Sequence, residues 1–449
     1  METMNALRAA VEKNRALILE AERYIWKHPE TGYREVKTSK YLQEHFEALG
    51  YELVLAGDIP GFYTVLDTGR PGPEILVLAE LDSLINSDHP DCDPETGAVH
   101  SCGHHAQCAA LLGLAAALKE PGVTDGMCGR IRLCAVPAEE LLEIEYRSRL
   151  RKKGIIRFYG GKQEFLRRGY FDGVDLFFMV HTTTRSFHAC YGAVGCLAKQ
   201  ARFKGVSAHA GGSPWNGCNA LYAASLGLQA VNSVRETFKE KDFIRVHPII
   251  TKGGDAVNAI PSDVRVESYI RGRTFEAMEK ANKRVNRALI GAALSLGANV
   301  EILDAPGYAP YTNDPNGVQL AKEALALCLP EEELSVGTAV QTGSSDVGDL
   351  AQVIPFVYLH AAGATGTAHG KDFFVTDPER ACVGSALWQL TILQLMLADG
   401  GKRAKEICDG YEAPFPSQKA YIDYLESVFS EGDRIEYNEE KTAASVRLV

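Results

Sequence analysis

The chain has 449 residues, of which 46% are hydrophobic and 23% charged, and its formal net charge is -11. That length allows two or three structural units around a large core, and the composition is that of an ordinary globular protein. The acidic balance leaves no basic face for nucleic acid, and no apolar run is long enough to span a bilayer.

The first 30 residues are amphipathic and lack the apolar stretch of a signal peptide. Eleven cysteines without a regular framework lead us to expect reduced thiols in a cytoplasm. Residues 5–27 read as one helix, with Leu7, Ala10, Val11, Leu17, Ile18, Ala21 and Ile25 on or near one face. His28-Pro29-Glu30-Thr31-Gly32 breaks it, and a second helix over about 37–49 ends at Gly50. Ile75-Leu76-Val77-Leu78-Ala79 is a continuous apolar run, as in a strand buried on both faces. It delivers Glu80 and Asp82 at its end.

Next comes His100-Ser101-Cys102-Gly103-His104-His105, followed by an apolar helix over 105–118. A strand over 131–136 delivers Pro137-Ala138-Glu139-Glu140, and one over 174–180 delivers His181. Three strands thus end in residues fit for chemistry, and open α/β sheets form their sites outside the carboxyl ends of their strands.

The character changes near Gly192. Residues 197–203 alternate like a half-exposed strand, 217–238 read as a helix, 243–250 and 264–270 as strands, 275–296 as a helix and 299–303 as a strand. This order predicts a small two-layer α+β domain inserted into an α/β core. After about Pro306 the α/β pattern returns, with a strand over 353–359 ending at His360, a loop over 363–370 carrying His369, and a helix over 378–397. The expected division is residues 1–192 and 306–449 for the core, and 193–305 for the insert.

Cys102 and His104 flank a glycine, a spacing that lets two side chains converge from a tight turn. Thiolate sulfur and imidazole nitrogen are preferred donors for zinc and related metals. Cys102, His104, Glu140, His181 and His369 together make five candidate ligands at sheet-edge positions. That is more than one tetrahedral ion needs, and it suits two adjacent divalent ions sharing one ligand. Glu139, next to a candidate ligand, is free to act as a general base. Asp82 is placed to orient a ligand from behind. Donor type leaves manganese, zinc, cobalt and nickel open.

The motif order resembles the two-metal peptidase and aminoacylase family, in particular its amidohydrolase branch. The matching residues are Trp26-Lys27-His28-Pro29-Glu30 with Glu35, Ala79-Glu80-Leu81-Asp82-Ser83-Leu84, Cys102-Gly103-His104, Pro137-Ala138-Glu139-Glu140 and Val180-His181. Further on come Ala208-His209-Ala210-Gly211-Gly212, Gly253-Gly254 with Asn258-Ala259-Ile260-Pro261, Ser345-Asp346-Val347-Gly348-Asp349 and Ala368-His369-Gly370. The resemblance implies a mixed-sheet metallopeptidase core with helices on both faces and a smaller lid domain through which subunits often pair. It implies the same five metal ligands, with Glu139 as the base. It places His209 as an oxyanion-stabilising residue, in many members acting in the partner subunit's site. Asn258 and Arg271 fall where relatives hold the substrate's carboxylate or carbonyl, with Arg273 a competitor for the second position.

The chain departs from the pattern in three places. His105-Ala106-Gln107 stands where many relatives have Asp or Asn and then a further His. Glu80 occupies a position where distant peptidases carry a metal-binding His. Residues 141–173 form a long basic insertion with Arg147, Arg149, Arg151, Lys152 and Lys153. It reads first as a solvated surface insertion and alternatively as a specificity loop.

The expected function is a metal-dependent amidohydrolase that cleaves N-acyl- or N-aminoacyl-amino acids, with two divalent ions per chain, zinc or manganese, and a homodimer or higher assembly formed through the lid. The competing readings are a dipeptidase or aminopeptidase that needs a free amino group, and a non-catalytic small-molecule binder on a hydrolase scaffold. No candidate ligand or base is missing, which argues against the binder. The absence of any Cys-x-x-Cys motif argues against a thiol redox protein.

Overall fold

A computed structural model describes residues 2–448; Met1 and Val449 lie outside the described residues. The apolar run at Ile75 lies in strand Glu74–Glu80, in which every residue is buried. Its side chains alternate between two cores, as a pleated strand requires. Ile75, Val77 and Ala79 pack with Ile18, Ala109 and Leu112 on one face, while Leu76 and Leu78 pack with Phe158, Phe165 and Phe177 on the other.

This strand lies near the middle of an eight-stranded mixed sheet. In spatial order the strands are Val54–Leu55, Phe62–Asp67, Arg130–Val136, Glu74–Glu80, Leu176–Thr182, Phe356–Ala361, His188–Ala189 and Ser335–Val336. The four from Arg130–Val136 to Phe356–Ala361 run parallel. Their carboxyl ends therefore open on the same edge, and the chemistry-bearing loops gather there. His181 and His360 sit inside their strands rather than after them, because they pair with each other in register. The expected α/β class with helices on both faces is the fold observed.

Every residue of helix His104–Leu118 is buried. It is wedged between the sheet and helices Arg15–Trp26 and Ser385–Leu397, so it needs no polar face. The single helix expected over 5–27 is two helices, Glu2–Lys13 and Arg15–Trp26, meeting at Asn14. The Asn14 side chain donates to the Ala10 carbonyl at 2.9 Å and so competes locally with the helical backbone bonds.

A second, antiparallel sheet, drawn mostly from the stretch expected to be the lid, is built of Arg245–Val246, Asp263–Gly272, Gly195–Lys204, Asn299–Pro306 and Ser430–Asp433, with Ile249–Lys252 also paired to Asp263–Gly272. Helices Ala220–Arg235 and Phe275–Ser295 pack on it around Phe203, Val285 and Ile302. Both helices start where a side chain accepts orphan amide protons, Asn219 from Leu221 and Tyr222, and Thr274 from Ala277. The strand expected over 243–250 is split at His247-Pro248, since proline cannot donate to a ladder.

Two segments differ from expectation. Residues 430–433 lie in the stretch expected to return to the core, yet they pair with Asn299–Pro306 of the lid. They cover the edge that strand would otherwise leave unpaired, and Ile435 fills the core beside it. The 141–173 insertion folds into helices Ile144–Lys152 and Gly161–Arg167. Arg149, Lys152 and Lys153 are exposed as a solvated insertion predicts, but Arg147 is 1% and Lys162 0% exposed. The surface-insertion reading is therefore wrong for this segment's inner face. Among the described residues no single helix is long and apolar enough to cross a membrane.

Candidate active site

At the carboxyl edge of the sheet a cavity of about 160 Å³ is lined by Cys102, Glu139, Glu140, His181 and His369. Gly103 makes the first turn possible. It has φ of 99° and lies so close to Thr182 that a Cβ would fall 2.8 Å from that side chain. The turn sets Cys102 at the rim and starts the buried helix with His104. His104 Nδ1 donates to the Asp82 carbonyl at 2.9 Å, which leaves Nε2 as the free nitrogen. His181 repeats this device, with Nδ1 2.6 Å from the Thr182 carbonyl and Nε2 3.5 Å from Cys102 Sγ. Burial and the neighbouring His104 lower His181 to about 4, so the ring is in its neutral, electron-donating form. His369 comes from a loop pinned by its own amide to Ser101 and by Asn86 to its carbonyl. Its Nε2 lies 3.3 Å from Glu140 Oε1.

These donors fit cations. Two triplets, Cys102–His104–His181 and Cys102–Glu140–His369, each hold their donor atoms within 4.8 Å of one another and share Cys102. Ligands at roughly 2.0–2.3 Å around a tetrahedral ion stand about 3.3–3.8 Å apart, which matches the His181–Cys102 and His369–Glu140 separations. His104 Nε2 and Glu140 Oε1 are buried without a hydrogen-bond partner. Buried polar atoms are rarely left so; the nearest charged groups are Glu80 Oε2, 3.3 Å from His104 Nε2, and His369 Nε2, 3.3 Å from Glu140 Oε1.

Glu139 stands beside the donors, its Oε2 3.9 Å from His104 Nε2. Burial, then Glu80, Glu140 and Asp346, push its carboxyl well above the usual range, the condition for a group that must pick up a proton near neutrality. Asp82 is fully buried and reaches both sides of the site. Its backbone carbonyl accepts from His104, and its Oδ2 accepts from the Glu140 amide at 2.8 Å.

Beneath the cavity lies a charge cluster that sequence reasoning missed. Lys162 bridges Glu80 and Asp346, all three at 0% exposure. Burial alone would raise Glu80, but Lys162, His104 and His181 outweigh it and hold the carboxyl at about 2. Asp346, raised by burial and Glu80 against the pull of Lys162, stands at about 6. The available signal was Gly160-Gly161-Lys162, a small-residue turn that lets a lysine approach the sheet edge, inside a segment that looked like surface.

Arg271 reaches the cavity wall, donating to Ser344 Oγ at 2.9 Å. Arg273 instead lines a separate cavity of about 420 Å³ that shares Ala193 and Tyr311 with the first and contains none of the five donors. His209 and Asn258 are not brought to the cavity within one chain. Both are exposed on the lid, joined through the Ala210 amide and the Asn258 carbonyl at 2.9 Å. His209 Nδ1 accepts the Gly212 amide at 2.8 Å, and among the described residues Nε2 makes no hydrogen bond. His105 is buried with Nε2 3.5 Å from Glu22 and packs against Trp26.

Comparison with known proteins places the chain among described relatives. The family described as "Peptidase family M20/M25/M40" matches residues 77–394. A p-aminobenzoyl-glutamate hydrolase subunit of Escherichia coli is 30% identical over 386 residues, 82% of this chain and 74% of that protein. The indole-3-acetyl-aspartic acid hydrolase of Enterobacter agglomerans is 26% identical over 378 residues, 71% of this chain and 81% of that protein. A solved structure of a dinuclear metal-binding M20 peptidase from Bacillus subtilis superposes with a TM-score of 0.61 at 20% identity, covering 86% of this chain and 99% of the other.

Proposed function

The chain belongs to peptidase family M20/M25/M40 and is a metal-dependent hydrolase of amide C–N bonds; within that family we propose that it cleaves N-acyl- or N-aminoacyl-amino acids bearing a free carboxylate. The observation that carries this reading is the convergence of Cys102, Glu140, His181 and His369 on one cavity beside Glu139, with His104, fully buried, holding its donor within 4.8 Å of those of Cys102 and His181. The named relatives hydrolyse indole-3-acetyl-aspartic acid and p-aminobenzoyl-glutamate, both amides of an amino acid, which supports the substrate class.

The five donors would hold two divalent ions, zinc or manganese by donor type. Such ions polarise a carbonyl, ease the ionisation of water and stabilise oxyanion charge. Glu139 takes the proton from the attacking water and returns it to the leaving nitrogen. Asp82 keeps His104 in the tautomer that presents Nε2 and holds the Glu140 amide. Arg271, anchored at Ser344, receives the substrate carboxylate. His209 and Asn258, facing outward on the lid, serve a partner's site in a homodimer, His209 by stabilising the oxyanion. The exposure of Trp215, Tyr222 and Val257 on the same lid supports such pairing. The working location is the cytoplasm.

A dipeptide and its N-acetylated form, each offered to the manganese- or zinc-loaded protein, test the reading. We expect the acetylated form to be cleaved with a kcat/KM at least equal to that of the free dipeptide. Cleavage of the free form alone would make the protein a dipeptidase, and cleavage of neither would overturn the proposal.

A further inference from the structure

We propose that Arg147, supplied by the 141–173 insertion, is a positioning residue that sets the direction of the Glu139 carboxylate by gripping the backbone on both sides of it. This inference rests on the reading of Glu139 as the base.

The turn that carries Glu139 is unusual. Ala138 has φ of 58°, in the left-handed region that residues with a Cβ avoid, so surrounding contacts must hold it. Its polar groups are taken up one by one. The Ala138 amide donates to Glu35 Oε1 at 2.7 Å and the Glu140 amide to Asp82 Oδ2 at 2.8 Å. Tyr308 donates to the Glu139 carbonyl and Tyr269 to the Leu141 carbonyl. Each of these contacts fixes one point. Arg147 reaches two: Nη2 donates to Glu140 O, and Nη1, whose short bond goes to Tyr159 O, makes a long bond of 3.4 Å to Ala138 O, a carbonyl that also accepts from the Gly161 amide at 3.2 Å. A planar fork anchored to carbonyls before and after one residue resists rotation of the peptides that bracket it.

The cost of placing the guanidinium there points to a role. Arg147 is 1% exposed, and among the described residues no carboxylate lies within ion-pairing distance of it. Its remaining strong contact is the Tyr159 carbonyl at 2.6 Å, and Nε has no partner. A buried cation satisfied only by carbonyls is expensive. The space for it is cut out of the His28–Gly32 motif, since a Cβ on Gly32 would lie 2.3 Å from Arg147 Nη2 and 3.0 Å from Ala138 Cα. The helix that bears Arg147 begins at Ile144, four residues after Glu140, so the insertion folds back directly beneath the turn.

The test compares Arg147→Met, Arg147→Lys and Gly32→Ala in the full-length, metal-loaded protein, with the exposed Arg149→Met as a control. Readouts are kcat, KM, metal per chain and the unfolding midpoint. Misplacing a catalytic group by about 1 Å costs on the order of a hundredfold. Arg147→Met is therefore expected to lower kcat about a hundredfold with KM changed less than about threefold and metal retained, and Arg147→Lys to recover about tenfold of that loss. Gly32→Ala keeps the charge but displaces the fork, and should lower kcat in the same way. A folded Arg147→Met protein with kcat within about threefold of the parent would overturn the proposal. So would a loss that follows loss of metal or fold and that lysine does not relieve, because that is a purely structural role. Glu139→Gln run in parallel separates the two claims. If it is inactive while Arg147→Met is active, only this inference fails; if Glu139→Gln is active, there is no base to position and both fail.

Discussion

Replacing Glu139 by glutamine is expected to lower turnover by about a thousandfold while leaving metal binding intact. General acid–base catalysis contributes typically 10²–10⁴ in rate, and glutamine keeps the shape of the side chain but cannot take a proton from water. Metal binding should survive because the ions are assigned to the two donor triplets that share Cys102; loss of metal in the variant would instead place an ion in the His104–Glu139–Glu140 or Glu80–Glu139–Asp346 group. The fold should gain rather than lose. Burial, Glu80, Glu140 and Asp346 all raise the Glu139 carboxyl, so its ionised form is a burden on the folded state. The sign follows from linkage. A carboxyl whose folded value lies above its unfolded one loses stability as pH rises from the unfolded value through the folded one. In metal-free protein the variant should therefore match the parent below about pH 4 and exceed it increasingly above that. Steady-state kinetics and denaturation at several pH values measure both effects. A kcat within tenfold of the parent would remove Glu139 from the base position.

The second large effect is expected at Lys162. Substituting methionine removes the only ammonium that, among the described residues, contacts Glu80 and Asp346, both fully buried. Breaking one partner of a buried pair typically costs 3–5 kcal/mol, so a loss of about 4 kcal/mol in unfolding free energy is predicted. The loss should shrink when Glu80→Gln is added, since the double variant buries one uncompensated charge fewer. Chemical denaturation of the four proteins in this cycle gives the coupling. An unchanged midpoint for Lys162→Met would mean that the cluster is hydrated or otherwise neutralised.

Much of the site was legible because each piece followed a local pattern. The apolar run ending at Glu80 and Asp82, the Cys102-Gly103-His104 turn and the Glu139-Glu140 pair are short-range signals, and parallel strands carry them to one edge. Arg147 and Lys162 were not legible for the opposite reason. Arg147 stands among the exposed Arg149, Lys152 and Lys153, Lys162 opens the next helix of the same basic segment, and a basic helix looks solvated until its partners are known. A faint trace existed, since Ile144, Arg147 and Ser148 fall on one helical face and are the residues of that helix that are buried. The split of the first helix at Asn14 depends on a side chain competing for one carbonyl. The pairing of residues 430–433 with the lid depends on contacts between segments more than a hundred residues apart. Neither leaves a mark in periodicity.

The central claim is a two-cation hydrolytic site, and metal content per chain tests it most directly. Elemental mass spectrometry would follow gentle desalting, before and after reconstitution with manganese or zinc. About two equivalents are predicted, falling when Cys102 or His369 is replaced, because donor count and stoichiometry are linked. Retention of no metal under either condition would contradict the account.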